Sequence, residues 1–219
     1  MNQVAVIGLG RFGVATSLEL MRLGNTVIGI DTDAKLVNEM ADYLSVSVVA
    51  DATNESSLKE LDIANCDAVV VAIGESLEAS ILCVLALKNL GIKEMWVKAT
   101  SQPHHTILSR LGVSRIIHPE EEMGVRAAQS INYPMVNQYM PIGRGIYLVE
   151  VEIKEHCHDL SIKTLLGKAT SKIEPLLIRR RNNIIKNIDI NSLLETGDSL
   201  VLTGEMSALK KIAPEFIAK

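Results

Sequence analysis

Over the first 130 residues, apolar runs and helix-spaced apolar positions alternate in a nearly regular beat. Residues 3–9 form a continuous apolar run, as expected of a strand buried on both faces. Residues 12–23 carry apolar side chains at helical spacing and stop at Gly24. The same reading predicts strands at 26–30, 46–50, 68–73, 94–98 and 115–117, and helices at 34–43, 54–61, 77–90, 103–111 and 119–130. Asp33 is placed to cap the second helix. Pro119 and three acids open the last one, where the helix dipole favours negative charge. Six strands alternating with helices predict an α/β fold, a Rossmann-like doubly wound parallel sheet over residues 1–131.

The beat then breaks. Residues 132–145 hold Pro134, Pro141, Gly143 and Gly145 and read as a linker. From 146 to 219 the rhythm is different. A half-buried strand is expected at 146–153 and a short helix at 161–166. Strands at 175–179 and 184–186 flank a hairpin-like turn, another strand covers 199–202, and a helix closes at 208–216. This predicts a small C-terminal α+β domain. About 75 residues barely sustain a core alone, so docking on a partner subunit is expected.

Of the 219 residues, 47% are apolar and 22% charged, a globular balance that excludes dominant disorder. The longest apolar run, 68–74, is followed by Glu75 and Glu78, so no transmembrane helix is expected. The N-terminus lacks a basic region before its apolar stretch, so no signal peptide is expected and a cytoplasmic location follows. Net charge is −4, unevenly spread: residues 1–140 carry 10 Lys+Arg against 16 Asp+Glu, residues 141–219 carry 12 against 10. Neither part has the basic excess of a nucleic-acid binder. Cys66, Cys83 and Cys157 are odd in number and widely spaced, which points to free thiols rather than disulfides or zinc.

The chemistry concentrates in Gly8-Leu-Gly10-Arg11-Phe12-Gly13. This GxGxxG follows an expected strand and opens an expected helix, and Asp31 ends the next strand, 23 residues after Gly8. That context marks a dinucleotide- or nucleotide-binding turn. Gly8 permits the tight turn, Gly10 lets a pyrophosphate approach the backbone, and Gly13 lets the helix pack close to the sheet. Amides at the helix start face the phosphates. Asp31, with Thr32 beside it, accepts from ribose hydroxyls and repels a 2′-phosphate, disfavouring NADP. Asp51, in Asp51-Ala52-Thr53, is placed either to meet an adenine amino group or to cap the following helix. Ile73 and Gly74 end the fourth strand, where backbone approaches a ligand. Lys98 ends the fifth strand, either beside a phosphate or acidic partner or as a snorkelling surface lysine. Glu120, Glu121 and Glu122 complement the helix dipole, and one of them is also available to a cation. No tyrosine has a lysine four residues on, so the acid–base pair of short-chain reductases is absent. His156-Cys157-His158 reads as a solvated turn. A small NAD-dependent oxidoreductase is the alternative to a non-catalytic nucleotide-binding module.

Residues 4–13, 51–53, 70–74, 96–99 and 115–120, followed by Met123-Gly124, resemble the cytosolic regulatory subunits of Ktr-type bacterial potassium uptake systems, proteins with a domain that regulates potassium conductance. The resemblance covers nearly the whole chain, including Gly197-Asp198-Ser-Leu-Val in the second part. It implies a regulator without catalysis, binding ATP or ADP, or NAD(H) in some relatives. By resemblance Gly8, Gly10 and Gly13 cradle phosphates, Asp31 holds ribose, Arg11 reaches a γ-phosphate, and Glu120 is the position associated with a divalent cation such as Mg2+. It also implies a homodimer assembling into an octameric ring beneath a potassium-conducting membrane subunit. In relatives that bind cyclic di-AMP, an Asn-Pro element follows the hairpin. Here Asn187-Ile188 stands there, which speaks against that ligand, while Arg179 to Arg181 leave basic charge nearby.

Overall fold

A computed structural model describes residues 2–132 and 136–216. The chain divides into two compact units, residues 1–121 and 122–219.

In the first unit, strands β1 (Gln3–Ile7), β2 (Thr26–Asp31), β3 (Val46–Val49), β4 (Ala68–Val71), β5 (Met95–Lys98) and β6 (Arg115–Ile117) form one sheet in the order β3-β2-β1-β4-β5-β6. Every neighbouring pair is parallel. Between the strands run α1 (Arg11–Arg22), α2 (Ala34–Met40), α3 (Glu55–Glu60), α4 (Leu77–Asn89) and α5 (Gln102–Arg110). Successive residues of β1 explain the layering. Ala5 and Ile7 pack with Leu58 of α3, Val84 and Leu87 of α4 and Leu108 of α5. Val4 and Val6 pack with Val37 and Met40 of α2 and with Phe12 and Val14 of α1. Alternate side chains point to opposite faces of a strand. Both faces of this one are therefore covered, which is why its buried residues Val4–Ile7 are all apolar. Cys83 lies in this core, and burial pushes its thiol up to about 12. The fold class expected from sequence is observed, with element ends shifted by one to three residues.

The helix α6 (Pro119–Asn132) runs across the division between the units. The second unit is an antiparallel sheet of β7 (Val136–Gly143), β8 (Ile146–Glu152), β9 (Ile173–Arg180), β10 (Asn183–Lys186) and β11 (Ser199–Glu205), in the order β10-β9-β11-β8-β7. Helices α7 (Ile162–Leu166) and α8 (Met206–Ile212) pack Leu165, Leu166, Leu209 and Ile212 onto Val149, Val151, Leu200 and Leu202.

Two expectations need correction. The stretch 132–145, expected to be a linker, contains β7. Its Pro141 is tolerated because β7 is an edge strand, with one side free of ladder bonds. Gly143, Arg144 and Gly145 take positive φ and turn the chain into β8, so these glycines build a hairpin rather than a hinge. The expected break at Pro134 lies outside the described residues. His156-Cys157-His158, expected as a solvated turn, keeps both histidines exposed around the short 3-10 turn Glu155–Cys157 but is not solvated throughout: Cys157 is buried, the state expected of a free thiol.

Two of the three hairpin arginines are engaged. Arg179 pairs with Glu150. Arg180 grips Asp198 through Nε (2.9 Å) and Nη2 (2.8 Å) and reaches Glu195 at 2.7 Å. Asp198 is 1% exposed and Arg180 26%, so a part-exposed guanidinium holds a fully buried carboxylate bidentately. It ties the β9 end to the Gly197 turn that leads into β11.

Candidate functional site

The sheet order places β1 beside both β2 and β4, so the chain leaves β1 in one direction and β4 in the other. A crevice forms outside the carboxyl ends of strands at such a reversal. Here it is a cleft of about 340 Å3. It gathers Gly8 and Gly10 after β1, Asp31 and Thr32 after β2, Asp51, Ala52 and Thr53 after β3, and Ile73 and Gly74 after β4. Nine positions singled out in four separate stretches of sequence thus share one surface.

The three motif glycines have different tasks. Gly8 has φ +96°, and a Cβ there would sit 3.0 Å from the Ala72 carbonyl carbon. At Gly13 a Cβ would sit 1.8 Å from the Gly8 carbonyl oxygen, so α1 can cross the turn only without a side chain. At Gly10 nothing lies within 4 Å. The space a side chain would fill there is open, and it lies at the α1 N-terminus. Gly10 is the N-cap, with no side-chain cap bond and no acid in the first turn. The first amides of a helix have no intrahelical partner, so this turn is built to receive an anion.

Asp31 does more than face a ligand. Its Oδ2 accepts from the Leu9 amide at 2.6 Å and its Oδ1 from the Asp33 amide at 2.9 Å. The carboxylate clamps the glycine-rich turn to the end of β2 while its remaining lone pairs stay available to hydroxyls. Asp51 Oδ1 accepts from both the Thr53 amide (2.9 Å) and hydroxyl (2.7 Å). The Thr53 hydroxyl, then its amide, hold the Asp51 carboxyl below its usual range. Asp51 does not cap α3; Asn54 does, accepting from the Ser56 amide. Asp33, Glu75 and Ser76 also line the cleft and were not singled out as site residues in the sequence. They follow directly on the ends of β2 and β4, the one signal that points to them. Asp33 does cap α2, as expected.

Five candidates do not line the cleft: Arg11, Phe12, Lys98, Glu120 and Gly13, the last beneath the turn. Phe12 packs against the core on the α1 side of the sheet. Lys98 is paired with Glu120 at 2.6 Å. Its Nζ also lies 3.2 Å from where a Gly74 Cβ would be, at the cleft's edge. The odd lysine at a strand end therefore has an acidic partner, one of the two readings its position allowed. Lys98 holds the Glu120 carboxyl below the usual carboxylate range, with a smaller pull from Arg11. Among the described residues, no three His, Cys, Asp or Glu side chains converge as a metal site. Glu120, already neutralised by Lys98, gives one chain a single carboxylate there and not a ligand set.

Residues 4–119 match the TrkA-N domain family. The chain is 37% identical over 214 residues to the Ktr system potassium uptake protein A of Bacillus subtilis, covering 98% of this chain and 96% of that one. It is 36% identical over 211 residues to the Ktr system potassium uptake protein A of Vibrio alginolyticus, covering 95% and 94%. Among solved structures, the GsuK channel bound to NAD shares the fold at a TM-score of 0.56 and 17% identity, over 100% of this chain and 39% of that one. A glycine-rich nucleotide cleft on the expected sheet and this likeness over nearly the full length agree: the chain belongs to the TrkA-N family, among the Ktr system potassium uptake proteins.

Proposed function

We propose that the chain is a nucleotide-sensing regulatory subunit of a potassium uptake system, acting at the inner face of the membrane on a separate potassium-conducting subunit. The observation that carries this reading is the open Gly10 turn facing Asp31 and Asp51 in one cleft, within a chain similar over its whole length to a Ktr system protein. Carboxylates are the ionisable groups lining that cleft among the described residues, and they can accept from ribose hydroxyls and a base amino group. No helix among the described residues is long and apolar enough to cross a membrane, so a membrane effect requires a partner.

In this reading ATP or ADP binds with its phosphates on the α1 amides and its ribose on Asp31, with NAD(H) as the competing ligand. Arg11, the first residue of α1, reads the γ-phosphate. ATP and ADP then favour different arrangements, because a ligand shifts an equilibrium only by its differential affinity for the two states. Glu120 is the cation position that the resemblance assigns; a cation there would have to displace Lys98 from its carboxylate. Exposed Leu77, Leu82 and Leu85 of α4 supply apolar surface for a homodimer, the building block of an octameric ring. The proposed organisation is a nucleotide-binding domain over 1–131 and a smaller regulatory domain over 146–219 to which β7 adds an edge strand.

Paired calorimetric titrations of ATP, ADP and NADH on the wild type and Arg11→Ala test it. The expected outcome is a loss of about tenfold or more in ATP affinity, as for a lost charge-assisted phosphate contact, with ADP nearly unchanged. Equal losses for both nucleotides refute the sensor role. Tighter binding of NADH than of either adenine nucleotide replaces ATP and ADP as the ligand.

A further inference from the structure

The second unit contains a cleft that the nucleotide reading does not use. It lies between the α7 region and α8, with a volume of about 360 Å3, close to that of the glycine-rich cleft. Its floor is apolar: Leu165, Leu166, Ala208 and Ile212 are all buried. Its wall carries Lys168, Lys172 and Lys211. Lys168 sits on the 3-10 turn Gly167–Ser171, Lys172 directly follows it, and Lys211 comes from α8. Chain segments some forty residues apart thus bring three lysines to the border of one hollow.

The local charge does not cancel. Glu215 is the one carboxylate in the lining, and Glu205 stands 3.9 Å from Lys172. Among the described residues, neither Lys168 nor Lys211 is ion-paired. A cleft with an excess of one sign of charge over a low-dielectric wall concentrates counter-ions, here three ammonium groups against the one carboxylate of Glu215. Lysine meets phosphate as a compact point charge and needs no fixed bonding plane. Ser171 and Ser207 bring hydroxyls to the same wall. The apolar floor favours a ligand that also has an apolar body.

We propose that this cleft binds a small organic phosphate, a dianion with an apolar body, through Lys168, Lys172 and Lys211. The site is independent of the glycine-rich cleft and stands whether or not that cleft holds a nucleotide.

Phenyl phosphate is the probe, since its ring suits the floor and its dianion the lysines. On the full chain, calorimetry is run with phenyl phosphate, phenol and inorganic phosphate, each with and without saturating ADP. Lysine acylation read by mass spectrometry locates the probe. The expected result is binding of phenyl phosphate well above phenol and inorganic phosphate, unchanged by ADP. Lys168, Lys172 and Lys211 are then protected, while Lys163 of α7 and Lys210 of α8, both outside the lining, stay reactive. The double variant Lys168→Gln/Lys211→Gln should lose about tenfold or more in affinity with an unchanged thermal midpoint. Four results would overturn the proposal: wild-type affinity in the folded double variant, phenol binding as well as its phosphate ester, competition by ADP, or protection that does not distinguish the three lysines. Binding to phosphatidic acid vesicles without binding to phenyl phosphate would also overturn it, in favour of a lipid surface.

Discussion

Two clefts of similar volume occur in this chain, and their chemistry is opposite. The one on the parallel sheet is lined by Asp31, Asp33, Asp51 and Glu75, with no lysine or arginine in its lining among the described residues. In the proposed reading an anion there is held by main-chain amides at a helix start, and the carboxylates address hydroxyls. The one in the antiparallel unit has lysines over an apolar floor and relies on side-chain charge. The difference reaches beyond the clefts. The first unit depends on backbone approaching backbone, as where Gly13 crosses Gly8. The second depends on side-chain electrostatics, as where Arg180 meets the buried Asp198. A site built from backbone needs glycines in fixed places and leaves a motif. A site built from lysines leaves none.

The largest expected effect breaks the electrostatic side of this contrast. Arg180→Met strands the Asp198 carboxylate in the interior, and removing one partner of a buried pair costs about 3–5 kcal/mol. Urea denaturation should show that loss; an unchanged midpoint would mean the hairpin rearranges to rehydrate Asp198. The backbone side is tested by a pair of glycines. Gly13→Ala forces a Cβ onto the Gly8 carbonyl and should cost about 3 kcal/mol, the upper range for overpacking. Gly10→Ala meets no atom, so stability should hold within about 0.5 kcal/mol, as at ordinary surface sites, while adenine nucleotide affinity falls. If both variants lose stability equally, the division of labour among the motif glycines is wrong.

Asp31→Asn sharpens the comparison further. Asparagine has a single acceptor oxygen for two backbone amides, and its NH2 faces a donor. ADP affinity should fall by about 1.5–3 kcal/mol, the range for hydrogen bonds to a charged group, with a smaller loss of stability. Unchanged ADP affinity with reduced stability would leave Asp31 as a clamp and remove its ribose role. The smallest effect concerns pH. Lys98 lowers the Glu120 pKa in the folded state, so the pair's contribution is present above the ordinary glutamate range and is lost as pH falls through the lowered folded value. NMR titration should place the Glu120 midpoint below that of an ordinary glutamate, returning toward it in Lys98→Met.

The parallel unit was legible in the sequence because its strands are buried on both faces. Val4-Ala-Val-Ile7 needs no partner to be recognised as a central strand. The candidate cleft was legible for a related reason: a residue just past a parallel strand stands at the same end of the sheet as every other such residue, so Gly10, Asp31, Asp51 and Gly74 had to converge. What sequence could not show was the second task of Asp31, because the Leu9 amide reaches it only once the turn is folded. Strand β7 was hidden by Pro141 and two glycines, which read as breakers until the strand is known to lie at an edge. The lysine cleft was invisible because packing alone brings α8 beside the turn after α7.

The place of β1 also bears on how the chain is made. It is synthesised before both of its partners, yet it lies inside the sheet, bonded on one side to β2 and on the other to β4. Its Val4 pairs with Ala68, 64 residues later. At about 5–20 residues per second of synthesis, β1 waits roughly 3–13 s before its second edge can be paired. Through that interval a nascent chain displays an apolar, unpaired strand edge, the most aggregation-prone feature a sheet can offer. Each pairing in the antiparallel unit spans a shorter stretch, and the β7–β8 and β9–β10 hairpins close as soon as their turns emerge. The amino-terminal unit is therefore where early protection by a chaperone matters most.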